Sequence, residues 1–376
     1  MPLQPLRILD ANLNRLSEGL RFLEEIARFL LNDAELSWEL RTLRHNLLGE
    51  ARPWDTKLLS QRDSEHDVGA DLDTIASGAN RFPKTSQNFL GEKPSQQDLP
   101  GLVRANARRA EESLRVIEEL AKLPDIGLML DSAKFEQGRF SLYHLERLLI
   151  SKVLRQDKIK WIAGLYVVLD RQALAGRDEL AVAQQIIQGA AKVIQLRDKQ
   201  GKKGELLSLA RRLRTLCAES GVLFIINDYL DLALAVDADG LHVGQEDLPL
   251  PVVRKELPID KIVGISVHTV AQAVQAQNEG ADYVSVGSIF PTPTKKGATV
   301  VGIDRLKEIR QAVSCPLVAI GGINEDNIDQ VLSAGADSVA LISAVLGKED
   351  VKESTQRLVA KLNLAVDVVV KYVEPK

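Results

Sequence analysis

The stretch most informative about the fold is Ala191-Lys-Val-Ile194-Gln-Leu-Arg-Asp-Lys199, in which an apolar run passes directly into polar residues. Alternate side chains of an extended strand point to the same side, so Gln195, Arg197 and Lys199 would converge on one spot. A planar guanidinium beside an ammonium suits a diphosphate far better than a neutral ligand. Three surface polar residues at a strand end would give the same pattern, so the surrounding sequence has to distinguish the two interpretations.

The same arrangement, a short apolar run followed at once by polar residues, recurs along the rest of the chain. The runs are Leu165–Asp170, Val193–Arg197, Val222–Asn227, Ala238–Val243, Ile262–Ser266, Asp282–Gly287, Leu317–Ile320 and Ser338–Ser343. Helical patterns lie between them at Glu179–Ala190, Gly204–Glu219, Val270–Glu279, Asp304–Ala312 and Asn324–Ala334. Alternating strands and helices, with strands apolar on both faces, indicate a closed parallel barrel. The sequence therefore predicts an α/β fold: a (β/α)8 TIM barrel over residues 151–376, preceded by a separate, mostly α-helical domain over residues 1–150.

In such a barrel the catalytic groups follow the carboxyl ends of the strands and face one shared mouth. This rule predicts a site lined by Arg171, Gln195, Arg197, Lys199, Asn227, Asp228, Gln245 to Asp247, Ser266, His268, Thr292, Thr294, Lys295, Gly321, Gly322 and Ser343.

Two acids of this set, Asp228 and Asp247, follow different strands and lie among cations and amides. Carboxylate oxygens in that setting can hold Mg²⁺ against a diphosphate. Taken singly, Asp228 could instead cap a helix, and Asp247 could be a solvated loop acid. Their occurrence together with three cationic side chains favours the metal site.

A second phosphate site is predicted on the other side of the mouth. The loop Phe290-Pro-Thr-Pro-Thr-Lys295 is stiffened by two prolines and offers two hydroxyls and an ammonium. Gly321-Gly322 and Ser343-Ala344 follow strands seven and eight, where this architecture usually binds phosphate. A diphosphate with a metal facing a monophosphate suggests transfer of an organic group from a diphosphate ester to a phosphorylated acceptor, without a covalent nucleophile.

Residues from about 160 to 350 resemble thiamine-phosphate synthase. The motifs that carry the resemblance are Gln195-Leu-Arg-Asp-Lys199, Asn227-Asp228, His242-Val-Gly-Gln-Glu-Asp247, Gly264-Ile-Ser266, Gly287-Ser-Ile-Phe-Pro-Thr-Pro-Thr-Lys295, Ala319-Ile-Gly-Gly322 and Ile342-Ser-Ala344. The resemblance implies a transferase that condenses hydroxymethylpyrimidine diphosphate with a thiazole phosphate, or its carboxylate, to give thiamine phosphate and pyrophosphate. It also implies early loss of pyrophosphate, leaving a pyrimidine-stabilised cation that the thiazole nitrogen captures.

The resemblance further implies a role for each matching residue. It assigns the pyrimidine diphosphate to Gln195, Arg197, Lys199 and Asn227; Mg²⁺ to Asp228 and Asp247; the reacting methylene to Ser266; the thiazole phosphate to Thr292, Thr294, Gly322, Ile342 and Ser343; and a bridge toward pyrophosphate to Lys295. The predicted catalytic groups are Ser266, Lys295, Arg197 and Lys199.

The first 150 residues contain an internal repeat. The segment Ala11-Asn-Leu-Asn-Arg15-Leu-Ser-Glu18-Gly-Leu-Arg21-Phe-Leu-Glu24-Glu25-Ile-Ala27 returns in altered form as Ala105–Ala121, and a linker is predicted near residues 82–100. Both copies carry a polar stripe, which a pair of helices laced by ion pairs would also show. The segment resembles a helical domain associated with phosphorylating hydroxymethylpyrimidine phosphate. It lacks a G-x-x-x-x-G-K-[ST] loop, so a docking or dimerisation module remains its alternative.

Composition agrees with a soluble intracellular enzyme. The net charge of −4 leaves no basic excess of the kind that nucleic-acid binders show. No apolar segment approaches the roughly 20 residues that span a bilayer, no signal peptide is apparent, and a cytoplasmic location is expected. The oligomeric state is left open, with a homo-oligomer among the options. Two other functions also stay open: a thiazole tautomerase-like barrel, which would not require the Gln-Arg-Lys cluster with both acids, and a regulatory, non-catalytic barrel with a helical interaction module.

Overall fold

The computed structural model describes residues 4–61, 98–292 and 299–373 of the chain, which divides into two compact units between Leu154 and Arg155. Most of the predicted linker near 82–100 lies outside the described residues, as do Thr294 and Lys295 of the predicted site. Among the helices that the structure describes, none is both long and apolar enough to cross a membrane.

The first unit is helical, as predicted. Its elements are α1 (Gln4–Glu25), a π-helix (Ile26–Leu30), α2 (Ala34–Ala51), a 3₁₀ turn (Arg52–Trp54), α3 (Asp55–Leu59), α4 (Leu99–Leu120), α5 (Pro124–Gly127) and α6 (Ser132–Ile162), the last of which continues into the second unit.

The two copies of the repeat form α1 and α4, which pack against each other. Leucines at three- and four-residue spacing on α1, such as Leu16 and Leu20, are fully buried and give this helix one continuous apolar face. The axes approach closely at Gly19, where an added Cβ would lie 2.9 Å from the Asn106 carbonyl oxygen. The second copy has a serine, Ser113, at the corresponding position, and it is buried.

The second unit is a closed barrel of eight parallel strands, in which each strand pairs with the next and β8 pairs with β1. The strands are β1 (Gly164–Asp170), β2 (Val193–Arg197), β3 (Leu223–Asn227), β4 (Gly240–Val243), β5 (Ile262–Val267), β6 (Tyr283–Val286), β7 (Leu317–Ile320) and β8 (Ser338–Leu341). The predicted (β/α)8 barrel is confirmed.

Helices follow the strands around the outside of the barrel. They are α7 (Glu179–Gln188), α8 (Lys203–Glu219), α9 (Leu230–Ala235), α10 (Leu250–Glu256), α11 (Val270–Asn278), α12 (Gly302–Ala312), α13 (Ile328–Ser333), α14 (Ser343–Leu346) and α15 (Val351–Val373).

Strand periodicity separates two buried layers. On β1, Leu165 and Val167 belong to the layer between strands and helices, whereas Tyr166 and Val168 belong to a smaller cluster inside the barrel. The same alternation on β2 places Val193 inside, so Gln195 and Arg197, two and four residues further on, share its face. These polar residues of the predicted site therefore face the barrel interior, because they follow the same two-residue alternation as the inner core residues.

Candidate active site

A chain of hydrogen bonds crosses the barrel interior and ends at Ser266. Gln195 Nε2 donates to the Tyr166 hydroxyl at 2.8 Å, and that hydroxyl lies 3.0 Å from the hydroxyl of Tyr283. His242 continues the chain from Tyr283 to Ser266, with its Nδ1 3.1 Å from the Tyr283 hydroxyl and its Nε2 3.0 Å from Ser266 Oγ. Five strands thus contribute one side chain each to a single connected relay.

Burial keeps this relay uncharged. It lowers the pKa of His242 to about 4 and raises the pKa of both tyrosines above the usual value. With Gln195 as the donor, each hydroxyl proton finds an acceptor if Tyr166 donates to Tyr283 and Tyr283 donates to Nδ1 of His242. Nε2–H of His242 then donates to Ser266, whose own proton is left to point toward a ligand.

Gly264 makes room for this arrangement. It precedes Ser266 by two residues on β5, and a Cβ at this position would lie 1.9 Å from Cζ of Tyr283. The Tyr283 ring therefore occupies the space that a side chain on β5 would fill, and it stacks on the His242 ring with centroids 5.6 Å apart.

Three charged groups meet at the barrel mouth beyond β2, β3 and β4. Nζ of Lys199 lies 3.4 Å from Oδ2 of Asp228. Asp247 neighbours Asp228, and its Oδ2 accepts a hydrogen bond of 2.7 Å from the Gly244 N–H. Burial, together with the carboxylate of Asp247, raises the pKa of Asp228 despite the opposing pull of Lys199. Two carboxylates in such proximity favour a cation between them.

The backbone at Asp228 fixes this arrangement. Its φ of 64° lies in the left-handed region, which aspartate tolerates better than most residues, and its N–H donates to the His242 carbonyl at 2.8 Å. Tyr229, not Asp228, occupies the cap position of α9, and no side-chain cap hydrogen bond forms there. The alternative role of Asp228 as a helix cap is therefore excluded, and its side chain stays with Lys199.

Arg197 and Asn227 end the two strands beside this cluster. Arg197 pairs with Asp170 at the end of β1, and Oδ1 of Asp170 accepts hydrogen bonds from the N–H groups of Gln172 and Ala173. The Arg197 guanidinium is thus held by a carboxylate that is itself held by a loop. Asn227 is buried on the same inner face as Ile225.

The loops after β6 and β7 lie against each other. A Cβ on Gly321 would meet Oγ of Ser288 at 2.1 Å, and one on Gly322 would meet the Pro291 carbonyl oxygen at 2.5 Å. The glycine pair is therefore required by this close approach as well as by its positive φ angles of 100° and 67°. Pro291 directly precedes Thr292, so the structure brings Thr292 into the neighbourhood of Gly322.

The remaining predicted lining residues have diverse surroundings. The Arg171 guanidinium forms ion pairs with Glu179 and Asp198, each at 2.8 Å, so it connects the segments that follow β1 and β2. His268 is bound through Nδ1 to the Gly287 carbonyl oxygen at 2.8 Å, and Gln245 donates to the Ser266 carbonyl oxygen at 2.7 Å. Past β8, Ile342 is half-buried and Ser343 is exposed at the start of α14.

Comparison with known proteins identifies the family of this chain. A family model described as thiamine monophosphate synthase matches residues 165–345. A thiamine-phosphate synthase of Synechocystis sp. is 38% identical over 358 residues, which cover 95% of this chain and 96% of that protein. The chain belongs to the thiamine-phosphate synthase family. It is therefore an enzyme, a transferase of thiamine biosynthesis.

Other thiamine-phosphate synthases match the barrel alone. That of Clostridium tetani is 45% identical over 199 residues, which cover 53% of this chain and 95% of that protein. The solved structure of thiamine phosphate pyrophosphorylase from Pyrococcus furiosus is 38% identical with a TM-score of 0.52, and covers 55% of this chain and 99% of that one. A model of the ThiD2 family matches residues 7–148, which lie in the first unit.

Four residues of the candidate site were not predicted. Tyr166, Tyr283 and Asp170 received no role, and His242 was quoted only as part of a motif. The available signal was strand parity, since His242 and Gly240 share one face of β4 and Tyr166 and Asp170 share the inner face of β1. Parity alone could not show that these side chains meet, because their strands are distant in sequence.

Proposed function

We propose that the barrel condenses hydroxymethylpyrimidine diphosphate with a thiazole phosphate, or its carboxylate, to give thiamine phosphate and pyrophosphate, with carbon dioxide also released when the carboxylate is the acceptor. The observation that carries this proposal is the meeting of Lys199, Asp228 and Asp247 at one mouth from the ends of three different strands. A cation beside two acids, next to the Arg197 guanidinium, provides complementary charge for a metal-bound diphosphate.

Asp228 and Asp247 have the donor chemistry that Mg²⁺ needs. Mg²⁺ is commonly held by one or two carboxylates, with substrate phosphates and water as its other ligands, and the described residues contain no group of three or more metal-ligating side chains. Bound there, Mg²⁺ would neutralise part of the charge that develops on the departing pyrophosphate. The raised pKa of Asp228 fits a pair whose mutual repulsion a cation relieves.

In the proposed reaction, the bond between the pyrimidine methylene and the diphosphate oxygen breaks, and its electron pair leaves with pyrophosphate. The thiazole nitrogen then supplies the lone pair for the new carbon–nitrogen bond. Arg197 and Lys199 stabilise the leaving group by charge. Ser266, which receives a hydrogen bond from His242, is free to donate a hydrogen bond from its own hydroxyl to the leaving oxygen.

The thiazole phosphate is assigned to the far side of the mouth. Thr292 follows Pro291, whose carbonyl oxygen lies against Gly322, so the two facing loops offer a hydroxyl and a backbone N–H group. Ile342 and Ser343 begin the short helix after β8, and Thr294 and Lys295 complete the proposed set from outside the described residues.

For the first unit we propose phosphorylation of hydroxymethylpyrimidine phosphate, which would supply the barrel with its diphosphate substrate. The support is the ThiD2 family match over residues 7–148. Incubating the full chain with ATP and the pyrimidine monophosphate should yield the diphosphate. Absence of product would favour a docking or dimerisation module instead.

One assay tests the barrel. Folded protein supplied with both substrates and Mg²⁺ should form thiamine phosphate and release one pyrophosphate per turnover. A regulatory barrel would form neither product, and a tautomerase would rearrange the thiazole phosphate without consuming the diphosphate. We further propose that this reaction takes place in the cytoplasm, since both cysteines of the chain, Cys217 and Cys315, are unpaired thiols.

A further inference from the structure

The first unit carries an open cleft beside α1 and α2, which we name the arginine cleft. It has a volume of about 430 Å³ and is lined by Arg21, Arg28, Arg41 and Arg44, together with Phe29 and His45. This volume lies within the range of small-molecule sites. None of these residues has a part in the barrel chemistry described above.

The arginine cleft has more positive charge than its own acids can neutralise. Two of its arginines are paired, Arg44 with Glu24 at 2.7 Å and Arg21 with Glu25 at 3.1 Å. Arg28 and Arg41 have no carboxylate partner among the described residues. The cleft is therefore suited to an anion, and guanidinium groups favour the planar, multidentate contacts of a phosphate.

An aromatic ring borders the same charges. The Phe29 side chain is 71% exposed, and the Arg28 guanidinium lies 4.7 Å from the centroid of its ring. An exposed phenyl ring stabilised only by a cation leaves a flat apolar face uncovered. A ligand with both a phosphate and a flat heteroaromatic ring would satisfy the two halves of this surface.

The second copy of the repeat shows what this surface looks like when its charges are balanced. There Arg115 pairs with Glu118 and Glu119, at 2.6 Å and 2.8 Å, and Lys122 pairs with Glu119 at 3.0 Å. Arg139 pairs with Glu118 at 3.1 Å, so all three cations at this place have acidic partners. The helical scaffold alone thus does not require unpaired arginines.

The two copies also differ in the residues contributed by the following helix. Arg44 lies 20 residues after Glu24, and Arg139 lies 21 residues after Glu118. Counted from these two arginines, Arg41 corresponds to Glu136, and His45 corresponds to Phe140.

A local backbone change coincides with the cleft. The first copy continues from α1 into the π-helix Ile26–Leu30, which carries both Arg28 and Phe29, whereas α4 ends at Leu120 without such a turn. π-Helical turns cost stability and occur frequently at functional sites. The distortion therefore coincides with the residues that distinguish the two copies.

We propose that the arginine cleft binds the phosphate of a phosphorylated heteroaromatic compound, with the ring of the ligand against Phe29. Arg28 and Arg41 supply the charge for the phosphate. The choice of a pyrimidine phosphate or a nucleotide as ligand rests on the kinase activity proposed for this unit, but the binding itself does not.

Calorimetric titration of the full chain with hydroxymethylpyrimidine phosphate, ATP and inorganic phosphate tests this site. The double variant Arg28→Ala/Arg41→Ala should bind at least one ring-bearing phosphate at least tenfold more weakly than the wild type. Phe29→Ala should weaken the ring-bearing ligands but leave inorganic phosphate unchanged. Tighter binding of ATP or of the pyrimidine phosphate identifies which of these two ligands the arginine cleft binds.

The second copy of the repeat supplies the control, Arg115→Ala/Lys122→Ala, which likewise removes two positive charges, one on α4 and one just after it. This control should bind as the wild type does, and thiamine phosphate formation should be unchanged in every variant. Unaltered affinity in Arg28→Ala/Arg41→Ala, an equal loss in the control, or no binding by the wild type would each overturn the proposal. Specific binding without phosphoryl transfer would support the cleft and contradict only the kinase activity.

Discussion

His242 contacts Tyr283 through one ring nitrogen and Ser266 through the other, so both nitrogens are engaged within the relay and the ring can orient the serine hydroxyl. We expect His242→Phe to lower kcat about 10- to 100-fold, the range seen when a supporting hydrogen bond is lost, with little change in KM. The variant retains a ring that can stack on Tyr283, and steady-state kinetics for both substrates measure the effect.

The same substitution at an exposed histidine, His144→Phe on α6, serves as the control and should leave kcat unchanged. Tyr283→Phe, which removes one hydroxyl of the relay, should shift kcat in the same direction as His242→Phe. If both relay variants turned over at the wild-type rate, Ser266 would not depend on His242 for its orientation.

At the scale of the elements, packing between β5 and β6 depends on a missing side chain. Gly264→Ala places a methyl group 1.9 Å from Cζ of the buried Tyr283, so the ring must move and break its hydrogen bonds. We expect this variant to unfold at lower urea concentration, with a loss of about 3 kcal/mol in the free energy of unfolding.

Gly204→Ala provides the matched control, because its Cβ would meet nothing within 4 Å and the residue lies in the first turn of α8. This variant should be as stable as the wild type or slightly more so. Equal midpoints for the two alanine variants would show that Tyr283 does not need the space at Gly264.

The contact between α4 and α6 lowers the stability of the first unit by an amount that depends on pH. Glu111 has a buried Oε1 that accepts no hydrogen bond from the described residues, and burial together with Glu146 raises the pKa of Glu111 from 4.5 to about 7. Since a raised carboxyl pKa favours the folded state only while the group is protonated, its contribution is complete below pH 4.5 and is lost as the pH rises through 7.

Glu111→Gln should therefore stabilise the first unit at pH 8, by on the order of 1 kcal/mol after allowance for solvent screening, and have little effect at pH 4.5. Thermal unfolding at the two pH values measures the difference. The exposed Glu136→Gln on α6 should show no such pH dependence. A loss of stability at pH 8 in Glu111→Gln would contradict this assignment.

At the scale of the whole molecule, sequence predicted the barrel because its strands are buried on both faces. Val193–Arg197 and Leu317–Ile320 were predicted to the residue, since at each the chain passes from apolar residues into a loop. The short helices α9 and α10 had too few residues to show a period and were not predicted. Placement of the site at the carboxyl ends of the strands followed from the architecture alone.

The relay could not be predicted, because it exists only once the barrel is closed. Tyr166 and Tyr283 are 117 residues apart in sequence, and their hydroxyl contact depends on the whole cross-section of the barrel. The arginine cleft escaped prediction for a different reason. Its repeat was recognised as a polar stripe, but the unpaired state of Arg28 and Arg41 depends on α2, which lies outside the repeated segment.

The central claim is that the ends of β2, β3 and β4 together hold a metal-bound diphosphate. Thiamine phosphate formation by Asp228→Ala, with saturating Mg²⁺ and both substrates, tests it most directly. The control is Asp231→Ala, whose carboxylate is 62% exposed on α9 and pairs with Lys203 at 2.7 Å. We predict a fall in turnover on the order of 10³-fold for folded Asp228→Ala and none for Asp231→Ala. Near-wild-type turnover by Asp228→Ala would contradict the claim.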